Sequence, residues 1–255
     1  MRQLSWDLIG SGPPVVLIGG TNSTTAQTWG ATVELLAKDH TLVMPQLPGT
    51  GASPLPDGEL DAATIAGQLV RCALDAGFDR FAVAGASLGG PLALKVAALF
   101  PQHVGQVATL CGYAAPRAGL RMRLELWERL IDSGPEVIGR LLLVLGMPDA
   151  TAEALPAEAL QQMITMLGGD QQPGLLAQLR LARSIDVRSD LTTIAVPALV
   201  IAARQDNFVD PAHSQLIAES IPGSELLTLE GSHGLAHEAA LDVAAAIARL
   251  VRSAP

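Results

Sequence analysis

Aromatic residues make up only 3% of this 255-residue chain. Stacked rings therefore cannot carry its core, which must be built from Leu, Val, Ile and Ala. Cysteine is just as scarce: Cys72 and Cys111 are the only two, far apart in sequence. That excludes a disulfide scaffold and a short-spaced metal or redox pair. Each thiol sits in an apolar stretch and is expected to be buried and inert. Positive charge is in deficit, with 16 Lys+Arg against 25 Asp+Glu and a formal net charge of -9. A surface of that sign repels nucleic acid and anionic headgroups, so neither is an expected partner. Long hydrophobic runs are missing as well; the richest, Leu141–Met147, is too short to span a bilayer. The first twenty residues lack a secretory pattern, since the apolar run Val15–Ile18 is cut by Pro14 and Gly19. A cytoplasmic location is the default expectation.

What is present is length and order. A chain of 255 residues can bury a large single core. Short apolar runs alternate with helical patterns, the signature of βαβ units and a mostly parallel sheet. Strands are expected at Pro14–Ile18, His40–Met44, Arg80–Ala84, Val107–Cys111, Ala198–Ala203 and Glu225–Leu229. Helices are expected at Trp29–Ala37, from an Asp61 cap to about Ala76, at Leu88–Phe100 and at Glu238–Val251. Between about Ala115 and Asp190 the strand signal vanishes. That stretch reads as several helices, broken at Gly134–Pro135, Gly146–Pro148 and Gly168–Gly174.

The segment richest in chemistry is Phe81-Ala82-Val83-Ala84-Gly85-Ala86-Ser87-Leu88-Gly89-Gly90. A buried strand runs straight into Gly-x-Ser-x-Gly, and an apolar helix follows at once. A serine on such a strand-to-helix turn is presented as a nucleophile, and small neighbours let other segments close on it. The N–H of Leu88, at the helix start, is free to face a developing oxyanion. Two further loops supply candidate partners. Ala198–Ala203 leads into Arg204-Gln205-Asp206-Asn207, with Asp210 as a rival acid. Glu225–Leu229 leads into Glu230-Gly231-Ser232-His233-Gly234, with His237 as a rival base. His40, His103 and His213 lie beside no such loop and read as structural or solvated.

Together these features resemble the α/β-hydrolase superfamily, in its serine-nucleophile branch with a small helical cap, over nearly the whole chain. Pro48-Gly49-Thr50-Gly51-Ala52-Ser53, Asp186–Leu191 with Ile194–Pro197, and Ile221-Pro222-Gly223-Ser224 resemble further family segments. The resemblance implies a core from 1–115 and 191–255 and a cap over 116–190. It implies a triad of Ser87, Asp206 and His233, in the order nucleophile, acid, base. A serine at the elbow separates the chain from members that use a carboxylate there. No cofactor or metal is implied. One departure is plain: the family's oxyanion loop usually begins His-Gly, whereas here it reads Gly19-Gly20-Thr21-Asn22. The second oxyanion donor is expected to be the N–H of Thr21, with Asn22 as the alternative.

In the cap, Leu120, Leu124, Trp127 and Leu130 fall on one helical face, near Leu141–Leu145 and Met122, Met147, Met163 and Met166. They suggest a lipophilic small-molecule substrate or simple packing of cap on core. Arg117, Arg121 and Arg123 could meet a substrate carboxylate, or Arg121 could pair with Glu125 on the surface. The leading expectation is a cofactor-independent hydrolase of an ester, thioester or lactone through an acyl-enzyme. A lyase or cyclase of a biosynthetic pathway using the same triad, and a binding protein that retains the fold, are the alternatives. Oligomeric state is left open.

Overall fold

The computed structural model describes residues 3–169 and 171–252. Its first half runs β1 (Trp6–Gly10), β2 (Pro14–Ile18), α1 (Thr25–Trp29), α2 (Ala31–Leu36), β3 (Thr41–Pro45), α3 (Ala62–Asp75), β4 (Phe81–Ala86), α4 (Gly89–Leu99) and β5 (Val104–Leu110). Six helices follow without a strand: α5 (Ala118–Leu130), α6 (Pro135–Gly146), α7 (Asp149–Ala154), α8 (Ala157–Leu167), α9 (Leu175–Ser184) and α10 (Arg188–Leu191). The chain then returns through β6 (Ala198–Ala203), α11 (Ala212–Ser220), β7 (Glu225–Leu229), α12 (Leu235–Glu238) and α13 (Ala240–Arg252).

The strands form one seven-stranded sheet in the order β1-β3-β2-β4-β5-β6-β7. Only β1 is antiparallel to its neighbour. Strands β3, β4, β5 and β6 are buried along their whole length. They read as unbroken apolar runs because helices cover both faces of the sheet. Alternate side chains serve two cores. Val16, Ile18, Val83, Val107 and Val200 pack with Ile65, Leu69, Leu92 and Ile217 on one face. Val15, Leu17, Ala84, Leu110 and Ile201 pack with Leu36, Val243 and Ile247 on the other. This is the α/β-hydrolase fold, with the strand C-termini converging on one rim, where such sheets place their ligands.

The predicted strands all form, shifted by at most a few residues. Edge strand β1 was not expected: its pattern is largely exposed, so it carries no apolar run to betray it. Asp61 caps α3 as predicted, its carboxylate accepting from the Thr64 N–H at 2.7 Å. The expected helix Trp29–Ala37 forms as α2, two residues shorter at its start, and a separate short helix, α1, ends just before Gly30. Gly30 has φ 48, and a Cβ there would stand 2.2 Å from the His237 ring. The imidazole occupies the space a side chain would need at this positive-φ position. The expected final helix Glu238–Val251 forms as α13, with a short unexpected helix, α12, just before it. No described helix is long and apolar enough to cross a membrane.

Candidate active site

Strand β4 delivers Ser87 onto a turn whose geometry explains the local sequence. Ser87 has φ 53, the left-handed region that costs a side-chain-bearing residue about 1–3 kcal/mol. The strain is held by two backbone bonds: Ser87 N–H to Leu110 O at 3.0 Å, and Gly90 N–H to Ser87 O at 2.9 Å. A Cβ at Gly85 would lie 1.9 Å from the carbonyl oxygen of Gly89. Any side chain there would force the turn open.

His233 reaches this turn from the loop after β7. Its Nε2 lies 3.1 Å from Ser87 Oγ, and its Nδ1 lies 2.8 Å from Asp206 Oδ2. The carboxylate can only accept, so Nδ1 carries the proton and Nε2 is left to accept from the serine hydroxyl. Asp206 is buried, and its second oxygen accepts from the N–H groups of Phe208 at 2.9 Å and Val209 at 2.8 Å. Those two bonds orient the carboxylate toward the imidazole. Asp210, the rival acid, instead accepts from Ala212 N–H at 2.8 Å as α11 begins. His237, the rival base, bonds to Gln27 O at 2.9 Å.

Two supports of the histidine were not singled out from the sequence. The Phe208 ring packs edge-on against the His233 ring, with centroids 5.0 Å apart. The Glu238 carboxylate accepts from the Ser232 N–H at 2.6 Å and also from the Ser232 hydroxyl. It thereby ties down the glycine-flanked loop that carries His233. Only the short spacing between Ser232 and Glu238 hinted at this.

Near Ser87 the three N–H groups of the loop after β2, where the oxyanion donor is expected, differ. Gly20 N–H donates to Thr28 Oγ1 at 3.0 Å, and Asn22 N–H donates to Gln178 Oε1 at 2.9 Å. Thr21 N–H has no partner among the described residues, nor has Leu88 N–H. Asn22 is thus already engaged in the structure, whereas the two other sequence-predicted donors are free.

A cavity of about 440 Å³ opens on Ser87 and His233. Leu142, Leu143, Met147, Met163, Met166 and Trp127 supply an apolar wall from the helices between β5 and β6. Ser23, Gln27, His237 and Glu238 make a polar side. Met122 does not join them; it is exposed on α5. The arginine expectation is also corrected. Arg117 and Arg121 line a separate cleft of about 570 Å³ that shares no lining residue with the Ser87 cavity. Arg123 contacts Phe208 O, and Glu125 pairs with Arg129 rather than Arg121.

Cys111, Asp206 and His233 present donor atoms within 4.8 Å of one another. A metal there would have to break the Asp206–His233 bond, and Cys111 is a poor ligand. Burial, followed by the adjacent Asp206 carboxylate, pushes its thiol well above the usual cysteine range, so it stays protonated. Cys72 is also buried, with its thiol pushed up to about 12, mainly by burial.

A parallel-rich sheet, an elbow serine at its rim and a histidine bonded to an acid define a hydrolase of the α/β type. The chain belongs to the Alpha/beta hydrolase family, whose sequence model matches residues 15–246. It is 28% identical over 237 residues to a pyrrolizixenacetamide deacetylase of Xenorhabdus hominickii, covering 92% of this chain and 89% of that one. It is 31% identical over 261 residues to a pimeloyl-[acyl-carrier protein] methyl ester esterase of Stenotrophomonas maltophilia, covering 96% and 95%. A solved hydrolase from Pseudomonas aeruginosa PA01 superposes with a TM-score of 0.85 at 24% identity, covering 97% and 94%. The protein is therefore an enzyme, an α/β-fold hydrolase.

Proposed function

We propose that this enzyme hydrolyses a carboxylic ester, thioester or lactone of a neutral, lipophilic small molecule through an acyl-enzyme on Ser87. The observation that carries the reading is the unbroken chain from Asp206 Oδ2 through His233 to Ser87 Oγ, with bonds of 2.8 and 3.1 Å. Ser87 Oγ attacks the carbonyl carbon while His233 Nε2 takes its proton. Asp206 holds the imidazole tautomer and stabilises the cation. The N–H groups of Leu88 and Thr21 receive the oxyanion. The alkoxide or thiolate then leaves with the proton from His233, and water, activated by the same imidazole, releases the acid.

In this reading residues 116–190 form a cap over a core of 1–115 and 191–255, and the cap supplies the acyl pocket. Among the described residues no arginine or lysine lines that pocket, and Glu238 stands on its polar side. A substrate carboxylate would meet no cation there, so neutral acyl groups are favoured over acidic ones. Relatives named as a deacetylase and as a pimeloyl-[acyl-carrier protein] methyl ester esterase support hydrolytic removal of an acyl or alkyl group.

The test is hydrolysis of p-nitrophenyl esters from acetate to decanoate. Expected are a preference for medium chains over acetate, poor turnover of an ω-carboxylate analogue, and loss of activity in Ser87→Ala. Cleavage surviving that substitution refutes the mechanism. In oxygen-18 water the released acid is expected to gain one label; release of the acid without solvent label would instead mark an elimination on the same triad.

A further inference from the structure

We propose that Gln178 is a positioning residue for the oxyanion loop, so that the donor at Thr21 is held in place only while the helical insertion is seated. The inference rests on the serine-hydrolase reading above. Gln178 lies on α9, within the insertion, and is completely buried. Its Oε1 accepts from Asn22 N–H at 2.9 Å, while its Nε2 donates to Pro48 O at 3.0 Å and Thr50 Oγ1 at 2.8 Å. The amide cannot be turned over, because Pro48 offers a carbonyl that needs a donor and Asn22 an N–H that needs an acceptor. A buried amide with these partners met is rigid, and costly to disturb.

What it holds is the residue next to the free donor. Asn22 sits in the left-handed region at φ 61. Besides the bond to Gln178, its Oδ1 accepts from Gln172 N–H at 2.7 Å. Both tethers come from the insertion. On the other side of Thr21, Gly20 N–H is bound to Thr28 Oγ1. The loop packs on the nucleophile: a Cβ at Gly20 would lie 3.4 Å from Ser87 Cβ. Of three consecutive N–H groups, the outer two are tied and the middle one is left free beside Ser87. The paired glycines at 19 and 20 give this backbone wide freedom. The Gln178 clamp removes that freedom, as an oxyanion donor requires: it must already point at the place where charge develops.

Gln178→Met keeps the volume and removes the acceptor. With p-nitrophenyl butyrate, kcat is expected to fall about tenfold, part of the roughly hundredfold or greater loss of a whole donor, while KM stays within about twofold. Thr50→Val removes one Nε2 partner but leaves the Asn22 bond, and should change kcat less than about twofold. Hydrogen exchange of residues 20–24 should quicken in Gln178→Met and not in Thr50→Val. If Gln178→Met does not fold, Gln178→Ala serves instead under the same criteria: it too removes the acceptor for Asn22 N–H, and should lower kcat and quicken exchange at residues 20–24 alike. The proposal is overturned if Gln178→Met keeps kcat within twofold, if both Gln178→Met and Thr50→Val lose it alike, or if exchange at 20–24 does not change. Should the wild type cleave no ester and Ser87 resist a fluorophosphonate, the serine-hydrolase reading fails, and the exchange rates still decide the clamp.

Discussion

Replacing Asp206 by Asn tests the proposed proton path with almost no change of shape. In the native site one carboxylate oxygen holds two backbone N–H groups, from Phe208 and Val209, and the other faces His233 Nδ1. An amide has one acceptor oxygen and must choose. Turning its NH2 toward the backbone would leave two buried N–H groups facing a donor, at about 1–3 kcal/mol each. Turning its NH2 toward His233 sets only one donor against Nδ1–H, and the imidazole escapes by moving its proton to Nε2. The second arrangement wins by about the worth of two buried bonds. His233 then presents Nε2–H to Ser87 and cannot take its proton. Lost support for the imidazolium adds to this, for a fall in kcat of about 10⁴-fold. Steady-state hydrolysis of a p-nitrophenyl ester, with circular dichroism to verify the fold, reads it directly. An Asp206→Asn enzyme that is folded and keeps more than about a tenth of wild-type kcat would refute the reasoning.

Gly85→Ala should abolish activity and lower stability by about 1–3 kcal/mol, because its methyl would strike the Gly89 carbonyl, backbone against backbone. Thermal melts and fluorophosphonate labelling measure both. His213 is buried, accepts from Arg117 N–H at 3.1 Å and bonds to Asp210 O at 3.0 Å. Its pKa is lowered from 6.5, first by burial and then by Arg117, against the Asp210 contact. The unfolded chain therefore binds a proton that the folded chain refuses. The stabilising contribution is complete above about pH 6.5 and is lost as pH falls from there toward the folded value, at up to about 1.4 kcal/mol per pH unit. His213→Gln should flatten that acid-side slope in denaturant titrations between pH 7 and 5. Asp61→Ala removes the α3 cap and should cost about 1 kcal/mol, with kcat unchanged; a kcat loss would mean that α3 positions the elbow more directly than its packing implies.

The elbow was legible because its requirements are local. Strand, left-handed serine and close-packed glycines lie within a few residues, so backbone sterics write them into one short string. The same holds for the Asp61 cap, where donor and acceptor are three residues apart. Edge strand β1 left no such trace, since half of it faces solvent and alternation without burial resembles a loop. The rival acids Asp206 and Asp210 both follow β6 within a few residues. Only the folded chain separates them, by spending Asp210 on the start of α11 and aiming Asp206 with the N–H groups of Phe208 and Val209.

By itself, then, the order of residues determined the parallel sheet and the serine turn, because each follows from neighbours along the chain. The tertiary structure decided what depends on distant partners. It put Gln178 against Asn22, 156 residues away, laid the His237 ring against Gly30, and sent Arg117 and Arg121 to a cleft apart from Ser87. Such contacts arise from packing of whole elements, and no periodicity of a single segment records which remote side chain will fill its space.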